Sequence, residues 1–271
     1  MGGHEGGAGA VEGVGITDPM QVARVVTLGA SNLTRGFQTV VSTARQVWGP
    51  GVEVLAALGH GRSYGAPSRL LVRSLPGILD CGLWRELERR PPARTRALVT
   101  DIGNDILYGF SADQILAWVD DAASRLRRFT DDLIITDLPL ESMRRLSKAK
   151  FLLFRSVLVP SCRLSMAEAL ARAERVNEGL FELAAAHSAR LFRLRSDWYG
   201  FDPIHIRPSL WRAAWREILG ISVGVDEDRQ HWVEGAKLYL MRPERRWLFG
   251  VEQSMPQVGR QLPLGGRVWL Y

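Results

Sequence analysis

Residues 24 to 36 read RVVTLGASNLTRG. A short, β-branched apolar run ends at Gly29, Ser31 follows two residues later, and a helical pattern then runs to about Trp48. Apolar runs without alternation suit a strand buried on both faces. A strand leading through glycine into an amphipathic helix opens a βα unit and predicts a parallel sheet covered by helices.

Further strands read at VEVLAAL (52 to 58), RALVTDI (96 to 102), DLIITDL (132 to 138) and the weaker RLFRLR (190 to 195). Amphipathic helices read at 111 to 129, with Ser111 as N-cap, and at 165 to 189. The segment 141 to 164 reads as a further helix or insertion and a candidate lid. WRAAWREILG (211 to 220) reads as a helix with a glycine stop. After Gly220 the character changes. KLYLMRP, RRWLFGVEQ and GRVWLY carry β-prone aromatics with Gly and Pro between them, which predicts a small antiparallel β appendage. The expected organisation is a flexible Gly-rich leader over 1–22, a main domain over 23–222 and a β-rich extension over 226–271.

The 271 residues, 46% hydrophobic and 24% charged, suffice for one sizeable core. No apolar run reaches the roughly 18 residues of a membrane span. The leader lacks the apolar region of a secretory signal. Cys81 and Cys162 stand in no metal or redox spacing, so a reduced, cytoplasmic chain is expected. The net charge is +6, yet only Lys148, Lys150 and Lys237 among 35 basic residues are lysines. The basic residues are spread along the chain rather than interleaved with aromatics, so no specific nucleic-acid partner is expected.

Ligands of open α/β sheets bind beyond the C-terminal strand ends, so those ends hold the candidate residues. After the first strand stands Ser31, either a helix N-cap or a nucleophile facing helix-end N–H groups. After the second come Gly59, Gly61 and Gly65, either turn formers or backbone donors. After the third comes Ile102-Gly103-Asn104-Asp105, either a turn or an oxyanion donor in Asn104. Near the end of the main domain comes Asp202-Pro203-Ile204-His205. A carboxylate three residues before a histidine can fix its tautomer from one loop. Of the histidines within the main domain, only His205 has such a partner.

In order, these four stretches resemble the blocks of the SGNH hydrolases, also called GDSL esterases. The resemblance spans about 24 to 220. The family's G-D-S-L-T-x-G is GASNLTRG here, with one extra residue after the serine, and Ser31 matches the nucleophile. VEVLAALGHGRS takes the second block without a gap and puts Gly61, rather than Gly59 or Gly65, at the oxyanion glycine. Asn104 matches the oxyanion asparagine, and Asp202 and His205 match the acid and base. Departures fall at Ala30, Ala56 and Ile102.

The resemblance implies an α/β fold, a three-layer α/β/α flavodoxin-like architecture with a mainly parallel five-stranded sheet. It implies hydrolysis of carboxylic esters, with short acyl or acetyl groups, through an acyl-enzyme on Ser31. No metal or organic cofactor is needed, and the partner is a small-molecule, carbohydrate or lipid ester. Two other readings remain at this level. Gly61-Arg62-Ser63-Tyr64-Gly65 matches the G-x-S-x-G elbow of α/β-hydrolases, with Ser63 as nucleophile. Alternatively, the chain is a non-catalytic binding or scaffold module of the same fold.

Overall fold

The computed structural model describes residues 23–159, 162–220, 232–263 and 265–271. The expected leader and the polar start of the extension, up to 231, lie outside the described residues.

The chain runs β1 (Ala23–Leu28), α1 (Ser31–Trp48), β2 (Glu53–Ala57), β3 (Ser68–Leu70), β4 (Arg73–Leu75), α2 (Leu83–Arg89), β5 (Arg94–Val99), α3 (Asn104–Leu107) and α4 (Ala112–Arg127). It continues with β6 (Asp132–Thr136), α5 (Leu140–Arg144), α6 (Lys148–Leu158), α7 (Met166–Ala186), β7 (Arg190–Phe192) and α8 (Trp211–Ile218). Last come α9 (Trp232–Tyr239), β8 (Arg245–Leu248), β9 (Val251–Ser254), β10 (Arg260–Gln261) and β11 (Arg267–Leu270).

The main sheet has the order β10-β11-β2-β1-β5-β6-β7, and every pair is parallel except β10 with β11. Its central strands are apolar on both faces because both faces are covered. Val25, Phe37, Val40, Trp215 and Leu238 pack on one side with α1, α8 and α9. Val26, Val99, Ile115, Val119 and Val176 pack on the other with α4 and α7. The three layers are those expected. Ser111 caps α4, and Ser165 caps α7 in a reciprocal capping box with Glu168.

The strand count is seven rather than five. β2 would otherwise be a bare, apolar sheet edge, which folded proteins avoid. The C-terminal segment covers it: Arg267 to Leu270 pair in parallel with Glu53 to Ala56. The β8–β9 hairpin also joins β3 and β4, an insertion after β2, in a second, antiparallel sheet. KLYLMRP is not a strand. Its first three residues end α9, where Leu238 buries against the α1 side of the core. Gly235 lies against the Gln38 side chain of α1, where a Cβ would lie 1.9 Å from its Oε1. Among the described residues, no helix is long and apolar enough to cross a membrane.

Gly36 of α1 makes room for Trp215 of α8, because a Cβ at 36 would lie 1.8 Å from the indole nitrogen. Trp215 is fully buried. Trp215→Ala is therefore expected to lower the unfolding free energy by about 3–5 kcal/mol, read from urea titrations.

Candidate active site

The order of the main sheet reverses at β1, with β2 on one side and β5 on the other. Such a switch point opens a crevice at the C-terminal strand ends. Ser31 follows β1, Gly61 follows β2 and Asn104 follows β5, so the topology alone gathers three of the expected residues. His205 comes from farther off, in the loop that precedes α8.

Ser31 is the first residue of α1, and Ala30 is the N-cap. The Ser31 hydroxyl does not cap the helix. Its Oγ lies 2.9 Å from His205 Nε2. His205 Nδ1 lies 2.6 Å from Asp202 Oδ2. An Nδ1–H given to the carboxylate leaves Nε2 as the acceptor facing the serine. The other Asp202 oxygen accepts the backbone N–H groups of Ile204, at 3.2 Å, and His205, at 3.3 Å. Burial pushes the Asp202 carboxyl up, but the His205 hydrogen bond and charge, the Ile204 N–H and Arg35 outweigh it and hold it below the usual aspartate value.

Two residues that the sequence reading did not single out hold this arrangement. Asp101 follows β5 with φ of 58°, a conformation few side chains adopt. Its Oδ2 accepts the N–H groups of Ala30 and Leu33, each at 2.9 Å, and caps α1 from another strand. Its Oδ1 accepts from Asn32 Nδ2 at 2.9 Å. Asn32 also donates to the Ile204 carbonyl and accepts from the Ile206 N–H, both at 2.8 Å. One amide thus grips the backbone on either side of His205.

Gly61 has φ of 67°, and a Cβ there would lie 2.9 Å from the Tyr108 hydroxyl. Tyr108 donates to the Gly61 carbonyl at 2.5 Å and so orients the peptide. Gly59 and Gly65 are packing positions, where a Cβ would strike Leu75 and Trp118. Of the three, only Gly61 lines a cavity with Ser31, Asn104 and His205. Among the described residues, no hydrogen bond engages the N–H groups of Ser31 and Gly61 or the Asn104 side chain.

Ser63 is fully buried and lines neither cavity at Ser31. Its Oγ accepts the Ala66 N–H at 3.0 Å. Next to it, the Tyr64 N–H donates to Asp105 Oδ2 at 3.0 Å, while Asp105 Oδ1 is buried without a partner. Burial pushes the Asp105 carboxyl up to about 6, against the Ser63 hydroxyl and the Tyr64 N–H.

Two cavities meet at Ser31 and Asn104. The apolar one, about 110 Å³, is lined by Leu107, Leu138, Met143, Leu146, Phe151 and Leu170 among others. The segment expected as a lid thus supplies walls through α5 and α6. The other, about 170 Å³, is lined by Arg35, His60, Gly61, Tyr108 and His205. Burial, then the charges of Arg73, Arg35 and His205, bring His60 down to about 4, so it is neutral at pH 7. Among the described residues, no group of three or more His, Cys, Asp and Glu side chains could hold a metal.

No protein-family model and no curated protein sequence matches the chain. Solved structures with a similar backbone include a member of the lipolytic G-D-S-L family from Veillonella parvula. It is 14% identical, with 73% of this chain and 97% of that one covered and a TM-score of 0.45. Another is the psychrotrophic esterase EstA from Pseudoalteromonas, 10% identical over 72% of this chain and 96% of that one, TM-score 0.43. A mutant of the esterase AlinE4 is 13% identical over 80% and 93%, TM-score 0.37. At these values the likenesses assign no residue a role.

The Asp105 carboxyl gives a pH signature. It ionises at about 6 when folded and near 4 when unfolded. Between those values the folded chain keeps a proton that the unfolded chain has lost, so this group lowers stability as pH rises through the window. Asp137, also raised to about 6 by burial, acts the same way. Asp105→Asn is expected to gain on the unchanged protein by on the order of 2 kcal/mol between pH 4 and pH 7, measured by urea unfolding at each pH.

Proposed function

We propose that this chain is a serine-dependent hydrolase of carboxylic esters, of the SGNH type. The observation that carries the reading is the unbroken chain Asp202–His205–Ser31, at 2.6 and 2.9 Å, at the meeting point of two cavities. An N-cap serine with a solvent-facing histidine would need no such alignment.

In this reading His205 Nε2 takes the Ser31 proton as Oγ attacks the ester carbonyl, and Asp202 stabilises the imidazolium. The tetrahedral oxyanion is held by the backbone N–H groups of Ser31 and Gly61 and by the Asn104 amide. His205 then gives its proton to the leaving oxygen as the C–O bond breaks, and the alcohol departs. Water, deprotonated by His205, attacks the acyl-enzyme, and Ser31 recovers its proton. The leaving oxygen must reach His205, and His205 lines the second cavity but not the apolar one. The alcohol therefore leaves through the second cavity, and the acyl group lies along Leu107, Leu138 and Phe151. No metal or organic cofactor enters any step.

A fluorophosphonate probe and p-nitrophenyl ester turnover test this. Ser31→Ala is expected to lose both labelling and turnover, while Ser63→Ala keeps labelling at Ser31. Absence of labelling in the unchanged protein would leave a binding module as the better account. Asn104→Ala is expected to lower kcat by about 100- to 1,000-fold, the usual effect of losing one oxyanion donor. Asn32→Ala, which frees the His205 loop, is expected to lower kcat by up to about 100-fold with KM little changed, read from steady-state kinetics.

A further inference from the structure

Of the described non-glycine residues with positive φ, two are large, apolar and exposed. Leu71, φ 55°, lies in the β3–β4 turn, and Phe249, φ 51°, in the β8–β9 turn. Bulky L-residues avoid this conformation, which glycine or asparagine adopts readily. The two turns abut, because the Phe249 N–H donates to the Val72 carbonyl at 2.8 Å. Leu71 is 83% exposed, Phe249 76% and Val251 65%. Tyr239 and Leu240, at the end of α9, are exposed as well, and the Tyr239 ring stands 6.5 Å from that of His60. Single exposed apolar residues are ordinary. Two neighbouring turns that each hold one in a strained backbone are not, and such clusters mark interaction surfaces.

Charge narrows the partner. Arg73 pairs in register with Leu248, and Arg246 lies two residues from Leu248, so both arginines share one face of the sheet. Among the described residues, no carboxylate forms an ion pair with Arg69, Arg73 or Arg246, whereas Arg245 is neutralised by Glu252 at 2.7 Å. Burial and the neighbouring Arg246 charge both disfavour the charged form of Arg73. An anion beside the pair removes that conflict. Leu70, opposite Arg73 on the same face, lines the second cavity at Ser31, the one that holds His205. The apolar tips therefore stand beside the entrance of the candidate site.

We propose that the paired hairpin tips dock this protein on an anionic lipid surface. Leu71, Phe249 and Val251 enter the boundary between headgroups and acyl chains, and Arg73 and Arg246 meet headgroup phosphates. A second copy of the chain is a poorer occupant, because a two-fold contact through the tips would bring the unpaired arginines together. The docking does not depend on the hydrolase reading.

Co-sedimentation with vesicles of phosphatidylcholine, alone or mixed with phosphatidylglycerol, tests it. The protein is expected to sediment with the mixed vesicles and not with phosphatidylcholine alone, and Ser31→Ala is expected to do the same. Leu71→Asn with Phe249→Asn is expected to weaken partitioning by about tenfold or more. Its Tm should equal or exceed that of the unchanged protein, since asparagine tolerates the turn conformation. Arg73→Gln is expected to weaken partitioning about fivefold, and added salt to weaken it further. Equal partitioning of the double asparagine variant, equal binding to both vesicle types, or no sedimentation at all would overturn the proposal. So would a dimer that the double variant dissolves, which would assign the tips to self-association.

Discussion

Everything at the candidate site is referred to one carboxylate, that of Asp101. It sits at the end of β5 in a left-handed backbone conformation and reaches across to the start of α1. A negative charge at a helix N-terminus is favourable in itself, because it meets the positive end of the helix and satisfies open N–H groups. Here it takes the N–H groups of Ala30 and Leu33 and passes over that of Ser31. The Ser31 N–H is left without a partner among the described residues, while the helix start is held on either side of it at Ala30 and Leu33. Through Asn32 the same carboxylate also fixes the loop that carries His205. A strand, a helix and a distant loop are thereby tied at one point, and the 2.9 Å approach of His205 to Ser31 follows from that tie.

The C-terminal segment supports the other side of the site. β11 covers β2, and the fully buried Arg62, one residue after Gly61, donates to the carbonyls of Leu58, Pro76 and Tyr271. A buried guanidinium satisfied mainly by carbonyls is costly to misplace, since each lost partner leaves an uncompensated charge. The loop that carries Gly61 is thus braced from below by Tyr271, which follows β11. Beneath it, Glu53 binds Arg24 at 2.9 Å and Arg90 at 2.7 Å, and Arg90 lies over the Trp269 ring. The segment expected as an appendage is part of what positions this loop.

The strands of the sheet and the residues at their ends were legible because each signal is local. An apolar run followed by glycine and a polar residue marks a strand end whatever lies around it. Asp202 and His205 sit three apart, so their pairing could be read without the fold. Asp101 could not be read that way, because its three partners lie about 70 residues away. The place of β11 was hidden for the same reason: GRVWLY reads as a strand, but nothing in it names β2 as its neighbour. KLYL misled because short apolar alternation fits both periods, and the burial of Leu238 against the α1 side of the core decided for helix. Gly61 was distinguished from Gly59 and Gly65 only by what surrounds each: Tyr108 and a cavity, Leu75, and Trp118.

Set beside G-D-S-L-T-x-G, the motif that this stretch resembles, its differences make better sense together than apart. Position 30 lacks the aspartate, and one residue is added after the serine. The added residue is Asn32, and the nearest carboxylate to the Ala30 N–H is Asp101. An aspartate at 30 would set a second negative charge against Asp101, in the space where Ala30 is now fully buried. Without Asn32, Asp101 would still cap α1 but would have no link to the His205 loop. Ala30, Asn32 and the strand-end Asp101 therefore form one interdependent solution to a single requirement, that of holding a serine at a helix N-terminus opposite a histidine from a distant loop. Were Ala30 and Asn32 unconstrained positions, no such set of hydrogen bonds, all between 2.8 and 2.9 Å, would be expected around them.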